Sequence, residues 1–415
     1  MLRQLRRPGF AAAAIGCLLP LCNGHAAADN TSAPTTDANA RPRVGLVLAG
    51  GGAKGGAHVG VLKVMEEMNV PVDCIAGTSM GALIGAGYAS GIPALELEKF
   101  LVGIDWKSVV GGVGQRELQP IEQKRAGVTF SNNFEMGLQD KRIVIPGGVV
   151  NTASIEDLLR TYVAQARMQP DFDRLPIPFR AVATDMITGN MVVLSSGDLA
   201  TAMRASMAIP GAFAPVVTDQ YIRADGGMVR NIPVDIARDM CADVVIVVNL
   251  VEPEVMRENL QTATQLVSRS NGVMIEANER QQLATLTDRD VLINVHMGDI
   301  TTASFERVPD TVPLGESAAR TAASQLARLA VPAAQYQAWR TRVTTSQGID
   351  AKLAGVKYTG LERVNPAFLE NKALVKAGDT VDTATISQEA QRMSALQDFE
   401  SVEYRLVGDP TQPTL

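Results

Sequence analysis

Ser79 sits in Gly77-Thr78-Ser79-Met80-Gly81, after the apolar run Val72 to Ala76 and before the small-residue run Ala82 to Ala89. That order of strand, tight turn and helix constrains the chain strongly. Glycines on both sides of a serine let the backbone take the strained turn of a nucleophile elbow, which lifts the hydroxyl clear. A second turn of similar construction comes before it. Val44 to Ala49 reads as a buried parallel strand, and Gly50-Gly51-Gly52-Ala53-Lys54-Gly55 leads from it into a helix at Gly56 to Met68.

The glycine run formally contains GxGxxG at Gly50, Gly52 and Gly55. A dinucleotide site needs an acidic residue at the end of the second strand, whereas Asp73 lies at its beginning and Ser79 occupies its end. The better reading is a nest of backbone N–H groups at a helix N-terminus, on the strand beside the serine, acting as an oxyanion hole. Gly50, Gly51, Gly52, Ala53 and Met80 supply its candidate donors. His58, in the first helical turn, reads as structural or as orienting that hole rather than as a general base. Lys54 reads as a solvated loop cation, with attraction of an anionic head group as its functional alternative.

A carboxylate follows much later, on the tight turn Asp225-Gly226-Gly227 after the strand-like Tyr221 to Ala224. Asp185, ending the strand Phe179 to Thr184, is the rival base and reads as a structural acceptor. Once an N-terminal signal is removed, only His58 and His296 remain, too few for a clustered zinc site, and a Ser-His-Asp triad is open only through one of them. Cys74 and Cys241 each lie beside an apolar run and read as two buried thiols rather than a disulfide scaffold. In Pro93 to Asn151, the apolar face of Leu95, Leu97, Phe100, Leu101, Ile104 and Trp106 reads as a core helix, with a lipid-touching cap as the alternative.

Together these residues resemble a bacterial patatin-like phospholipase. The likeness rests on Gly50 to Gly55, Gly77 to Gly81, Ala205-Ser206-Met207-Ala208-Ile209-Pro210 with Phe213-Ala214-Pro215, and Asp225 to Gly227, and covers roughly residues 43–345. The resemblance implies a three-layer α/β fold with a mostly parallel central sheet. It also implies a Ser-Asp dyad, Ser79 as nucleophile and Asp225 as base, that cleaves acyl esters of phospholipids or other lipids at a membrane surface without histidine, metal or cofactor. The alternative is a non-catalytic lipid- or partner-binding protein of the same fold. With 38 Lys and Arg against 44 Asp and Glu, a nucleic-acid partner is not suggested.

The ends carry their own expectations. Arg3, Arg6 and Arg7, the apolar run Phe10 to Leu21 and Ala26-Ala27-Ala28 read as a signal peptide at 1–28, followed by a flexible leader at 29–42 and the hydrolase domain at 43–348. Residues 353–415 are similar to a POTRA domain, a small α+β module, as in patatin-like outer-membrane autotransporter passengers. Within it, strands at Lys352 to Thr359 and Ser401 to Val407 and helices at Asn365 to Ala373 and Ala384 to Leu396 are expected. The last strand is expected to lack its hairpin partner, which suggests a longer chain, an outer-membrane barrel or an oligomer partner, and a place at the cell surface or outside it.

Overall fold

In chain order the main strands are β1 (Val44–Leu48), β2 (Cys74–Thr78), a small hairpin of β3 (Gly137–Gln139) and β4 (Arg142–Val144), β5 (Phe179–Asp185), β6 (Met191–Leu194), β7 (Val216–Val217), β8 (Ile222–Asp225), β9 (Val244–Val251) and β10 (Val291–His296). Helices α1 (Ala57–Glu67), α2 (Met80–Ala89), α3 (Ala94–Gly103), α4 (Thr152–Tyr162), α5 (Leu199–Ser206), α6 (Gly227–Arg230), α7 (Val234–Met240), α8 (Ala263–Leu283) and α9 (Val308–Thr321) connect and cover them. The computed structural model describes residues 41–415 except 107–136, 140–141, 145–151, 164–168, 252–254, 257, 259, 345–350, 362–363, 395–401, 403, 405 and 410–411.

Strands β10, β9, β1, β2 and β5 lie side by side and parallel, with β6, β7 and β8 added antiparallel. β1 and β2 are buried along their whole length, as is most of β9, which is why they read as continuous apolar runs. β1–α1–β2 steps one way along the sheet and β9–α8–β10 the other, so right-handed crossovers place α1 and α8 on opposite faces. α3 and α9 pack on α1, whereas α6 and α7 pack with α8. The fold is therefore α/β, a mostly parallel sheet between two helical layers.

The arrangement around β5 sets up everything that follows. Along one edge it carries β6, from Ala181 opposite Leu194 to Thr184 opposite Met191. Because those pairs occupy that edge, β2 and β8 must share the other. β2 arrives with Thr78 opposite Val182, and β8 comes from the opposite direction with Asp225 opposite Ala183. Two strand ends thus meet head-on, at adjacent register positions of one strand.

Cys74 and Cys241 form a disulfide, with Cα atoms 6.3 Å apart, which corrects the expectation of two free thiols. The cause is packing between distant segments. α7 lies across β1, β2 and β9, so the residue after α7 arrives beside the first residue of β2, within bridging distance.

The C-terminal residues give β11 (Ala351–Lys352), α12 (Pro366–Lys372), β12 (Thr380–Val381), α13 (Thr383–Ser394), β13 (Val407–Asp409) and β14 (Gln412–Thr414); α10 (Ala323–Leu326) and α11 (Ala333–Thr344) precede them. Both expected helices are present, the first capped by the Asn365 side chain accepting the Ala367 N–H at 3.0 Å. The strands differ from expectation. β11 is two residues long and pairs with β12, and β13, which shares only Val407 with the expected Ser401 to Val407 strand, pairs antiparallel with β14; Ser401, Glu403 and Arg405 of that strand lie outside the described residues. Leu353, Val375, Val381, Ile386 and Tyr404 make a small apolar cluster of their own. Arg160 of α4, fully buried, donates to the Tyr404 carbonyl at 2.9 Å and is charge-matched by Glu156 at 2.7 Å.

Candidate active site

Ser79 caps the N-terminus of α2 with φ 54° and ψ −124°, and is 4% exposed. The strain is carried by the serine itself. Its flanking glycines answer a different need. A Cβ on Gly77 would come within 2.5 Å of the Gly81 carbonyl oxygen, and one on Gly81 within 2.3 Å of the Leu48 carbonyl oxygen. The elbow is thus packed backbone against backbone, on the end of β1 as well as on itself.

Asp225 enters this space from the end of β8. Its Oδ1 accepts the Gly227 N–H at 2.7 Å, and the Thr184 hydroxyl donates to its carbonyl at 2.7 Å. The other carboxylate oxygen, Oδ2, is buried and has no hydrogen-bond partner among the described atoms. Burial pushes the Asp225 pKa up to about 6, against the pull of the nearby Ser79 hydroxyl and the Gly227 N–H. Ser79 therefore lies close enough for its hydroxyl to act on the carboxylate. A carboxylate that is desolvated yet still ionised at neutral pH is a stronger base than a surface aspartate.

The glycine run lies across the gap. Gly50 donates its N–H to the Asn231 carbonyl, and its own carbonyl accepts the Asn231 Nδ2, both at 3.2 Å. The Ala53 N–H goes to the Thr302 carbonyl at 3.0 Å. Those two expected oxyanion donors are engaged in holding the loop, which leaves Gly51, Gly52 and Met80 of the expected set. Gly52 has φ +54° and sits so close to Thr302 that a Cβ would approach its carbonyl to 2.4 Å. His58 is fully buried and its Nε2 donates to the Ala49 carbonyl at 2.8 Å. Burial lowers its pKa to about 4, so it is a neutral prop for the loop. Lys54 is 1% exposed, which corrects its reading as a solvated cation; its stem packs against Gly51.

Asn231 and Glu279 were not legible as site residues. Asn231 Nδ2 also donates to Glu279 Oε1 at 2.6 Å, and its N–H goes to Asn278 Oδ1 at 2.8 Å, so α8 braces both the glycine loop and the Asp225 turn. The one signal was position, Asn231 lying at the end of the short helix that the Asp225 turn begins.

The rival groups lie elsewhere. Asp185 is half-buried at the end of β5, and the Ile187 N–H and Thr188 hydroxyl hold its carboxyl below the usual range, as in a turn. His296 ends β10, three strands from β2, roughly 14 Å away at ordinary strand spacing. Trp106 is 7% exposed, donates its indole N–H to the Leu101 carbonyl at 3.1 Å and lies against Phe305. It belongs to the core with Leu97 and Leu101, and most of the rest of the 93–151 segment read as a lipid-touching cap lies outside the described residues.

Residues 46–238 match the model of the patatin-like phospholipase family. An uncharacterized NTE family protein of Mycobacterium bovis is 34% identical over 210 residues, 50% of this chain and 49% of its own length. Human patatin-like phospholipase domain-containing protein 6 is 33% identical over 212 residues, 50% of this chain but 13% of that protein. The chain thus spans about half the length of the mycobacterial relative. Among solved structures, VipD from Legionella pneumophila resembles it with a TM-score of 0.39 and 16% identity, over 69% of this chain and 66% of that one.

Proposed function

We propose that this chain, whose residues 46–238 match the patatin-like phospholipase family model, is an exported lipid acyl hydrolase working through a Ser79–Asp225 dyad. The observation that carries the proposal is the meeting of a strained, nearly buried serine with a carboxylate whose Oδ2 is buried and unpartnered. Such an oxygen is costly to keep unless a proton is to be placed on it.

In this reading Ser79 Oγ attacks the ester carbonyl carbon as its proton passes to Asp225 Oδ2. The N–H groups of Gly51, Gly52 and Met80 face the oxyanion of the tetrahedral intermediate. Collapse expels the alcohol portion of the lipid, which takes the proton back from Asp225. Asp225 then removes a proton from water, which attacks the acyl-enzyme carbonyl; collapse breaks the bond to Ser79 Oγ, which takes that proton back from Asp225, and the fatty acid is released. Export is supported by the N-terminal pattern and by the Cys74–Cys241 bond, since disulfides persist in oxidising compartments. The C-terminal module is proposed to place the hydrolase at the cell envelope, through an outer-membrane barrel or an oligomer partner.

The test is release of fatty acid from phospholipid vesicles, and of chromophore from a short-chain ester, by the purified chain. Turnover of both, lost in Ser79→Ala, is expected; no turnover of either by the wild-type chain overturns the proposal.

A further inference from the structure

α5 ends between the two strand tips that carry the dyad, and Ser206, its last residue, touches both. The Ser206 hydroxyl accepts the backbone N–H of Ser79 at 2.9 Å and donates to the Val182 carbonyl at 2.6 Å. Its own carbonyl accepts the Gly226 N–H at 3.3 Å, and two residues on the Ala208 carbonyl accepts the Asp225 N–H at 2.9 Å. Ser206 is fully buried. We infer that Ser206 is a positioning residue, which fixes the distance between the Ser79 hydroxyl and the Asp225 carboxylate by bonding the Ser79 N–H and the Gly226 N–H, next to Asp225, to a helix end that is itself held on Val182 of β5.

The chemistry requires a hydroxyl at this place. Ser79 takes φ 54° and leaves the β2 ladder at Thr78, whose register partner is Val182; Asp225 is paired one position further on, with Ala183. Neither β2 nor β8 can bond across the break between them, and a buried N–H without a partner is disfavoured. The gap offers one donor, the Ser79 N–H, and one acceptor, the Val182 carbonyl. A hydroxyl satisfies both at once, whereas alanine satisfies neither and an acid or amide is too large for a fully buried site. The bond also removes the Ser79 N–H from the set that can face an oxyanion, consistent with the role falling to Gly51, Gly52 and Met80. α5 is itself capped at its other end, where the Asp198 side chain accepts the Thr201 N–H at 2.8 Å. The strained serine backbone is therefore held from outside the elbow.

The inference rests on the dyad reading for its kinetic consequence and on the hydrogen bonds alone for its structural one, so two readouts separate them. In Ser206→Ala, kcat on a soluble short-chain ester is expected to fall at least tenfold with KM within threefold, while thermal melting stays cooperative. The acid limb of the pH–rate profile should move to higher pH, because the Ser79 hydroxyl that lowers the Asp225 pKa is less well held. Ser206→Thr, which keeps the hydroxyl, should restore most of kcat and the original limb. Amide exchange at Ser79 should be slow in the wild type and in Ser206→Thr, and fast in Ser206→Ala. If Ser206→Ala does not fold, Ser206→Cys keeps the bulk, weakens the acceptor and carries the same comparison. Wild-type kcat and pH limb in a folded Ser206→Ala, or a loss of activity that merely tracks lost folded protein, overturns the kinetic role. Unchanged exchange at Ser79 overturns the hydrogen-bond role even if the wild type hydrolyses no ester, an outcome that by itself counts only against the hydrolase proposal.

Discussion

At the scale of single residues, Asp225 and His58 give opposite pH dependences. Asp225 ionises near 3.8 when unfolded and at about 6 when folded, so the stability it contributes is present at low pH and is lost as pH rises through that window. The size is about 3 kcal/mol at 1.4 kcal/mol per pKa unit. His58 titrates near 6.5 unfolded and at about 4 folded, so its contribution is present above 6.5 and is lost as pH falls towards 4, again by about 3 kcal/mol. In the wild type the two nearly cancel between pH 4 and 6.5. Asp225→Asn should abolish turnover, be more stable than wild type at pH 8, and expose the His58 dependence as a urea midpoint that climbs with pH over that interval. Parallel midpoint curves for the two proteins would count against the raised Asp225 pKa. The same carboxylate predicts that turnover falls away below about pH 6, as Asp225 takes up the proton that disables it as a base. His296→Ala, lying three strands from the nucleophile, should keep most activity; a folded but inactive variant would bring a histidine back into the mechanism.

At the scale of elements, the elbow's glycines serve contact. Gly81→Ala would put a methyl group 2.3 Å from the Leu48 carbonyl oxygen, on backbone that cannot swing aside. A loss of about 3 kcal/mol or failure to fold is expected, checked by chemical denaturation; an unchanged midpoint would mean that the β1–α2 packing is looser than described. This is also where the limit of sequence reading shows. β1, β2 and β5 were legible because each is a short, mainly apolar run bounded by turn residues, and Ser79 and Asp225 because turn chemistry marked them locally. Gly50 and Ala53 were assigned as oxyanion donors because nothing nearby shows that Asn231 and Thr302 use their N–H groups. Ser206 reaches Ser79 across 127 residues and Asn231 reaches Gly50 across 181. Pairings over such separations leave no periodicity to read, and the Cys74–Cys241 pairing was misread for the same reason.

At the scale of the whole molecule, that pairing joins points 167 residues apart. By loop entropy alone, reducing it should cost about 5 kcal/mol, seen as a lower denaturation midpoint in reductant; four titratable thiols in the unreduced, unfolded full chain, rather than the two of Cys17 and Cys22, would disprove the bond. The bond also bears on integrity. Ser79 and Asp225 both lie between Cys74 and Cys241, inside one covalent ring, and so does the exposed turn at Thr188-Gly189-Asn190. A protease site engineered into that turn would open the ring without parting the pieces. The nicked enzyme should run as one band without reductant and as two with it, and should go on turning over ester after the chain between its nucleophile and its base has been cut.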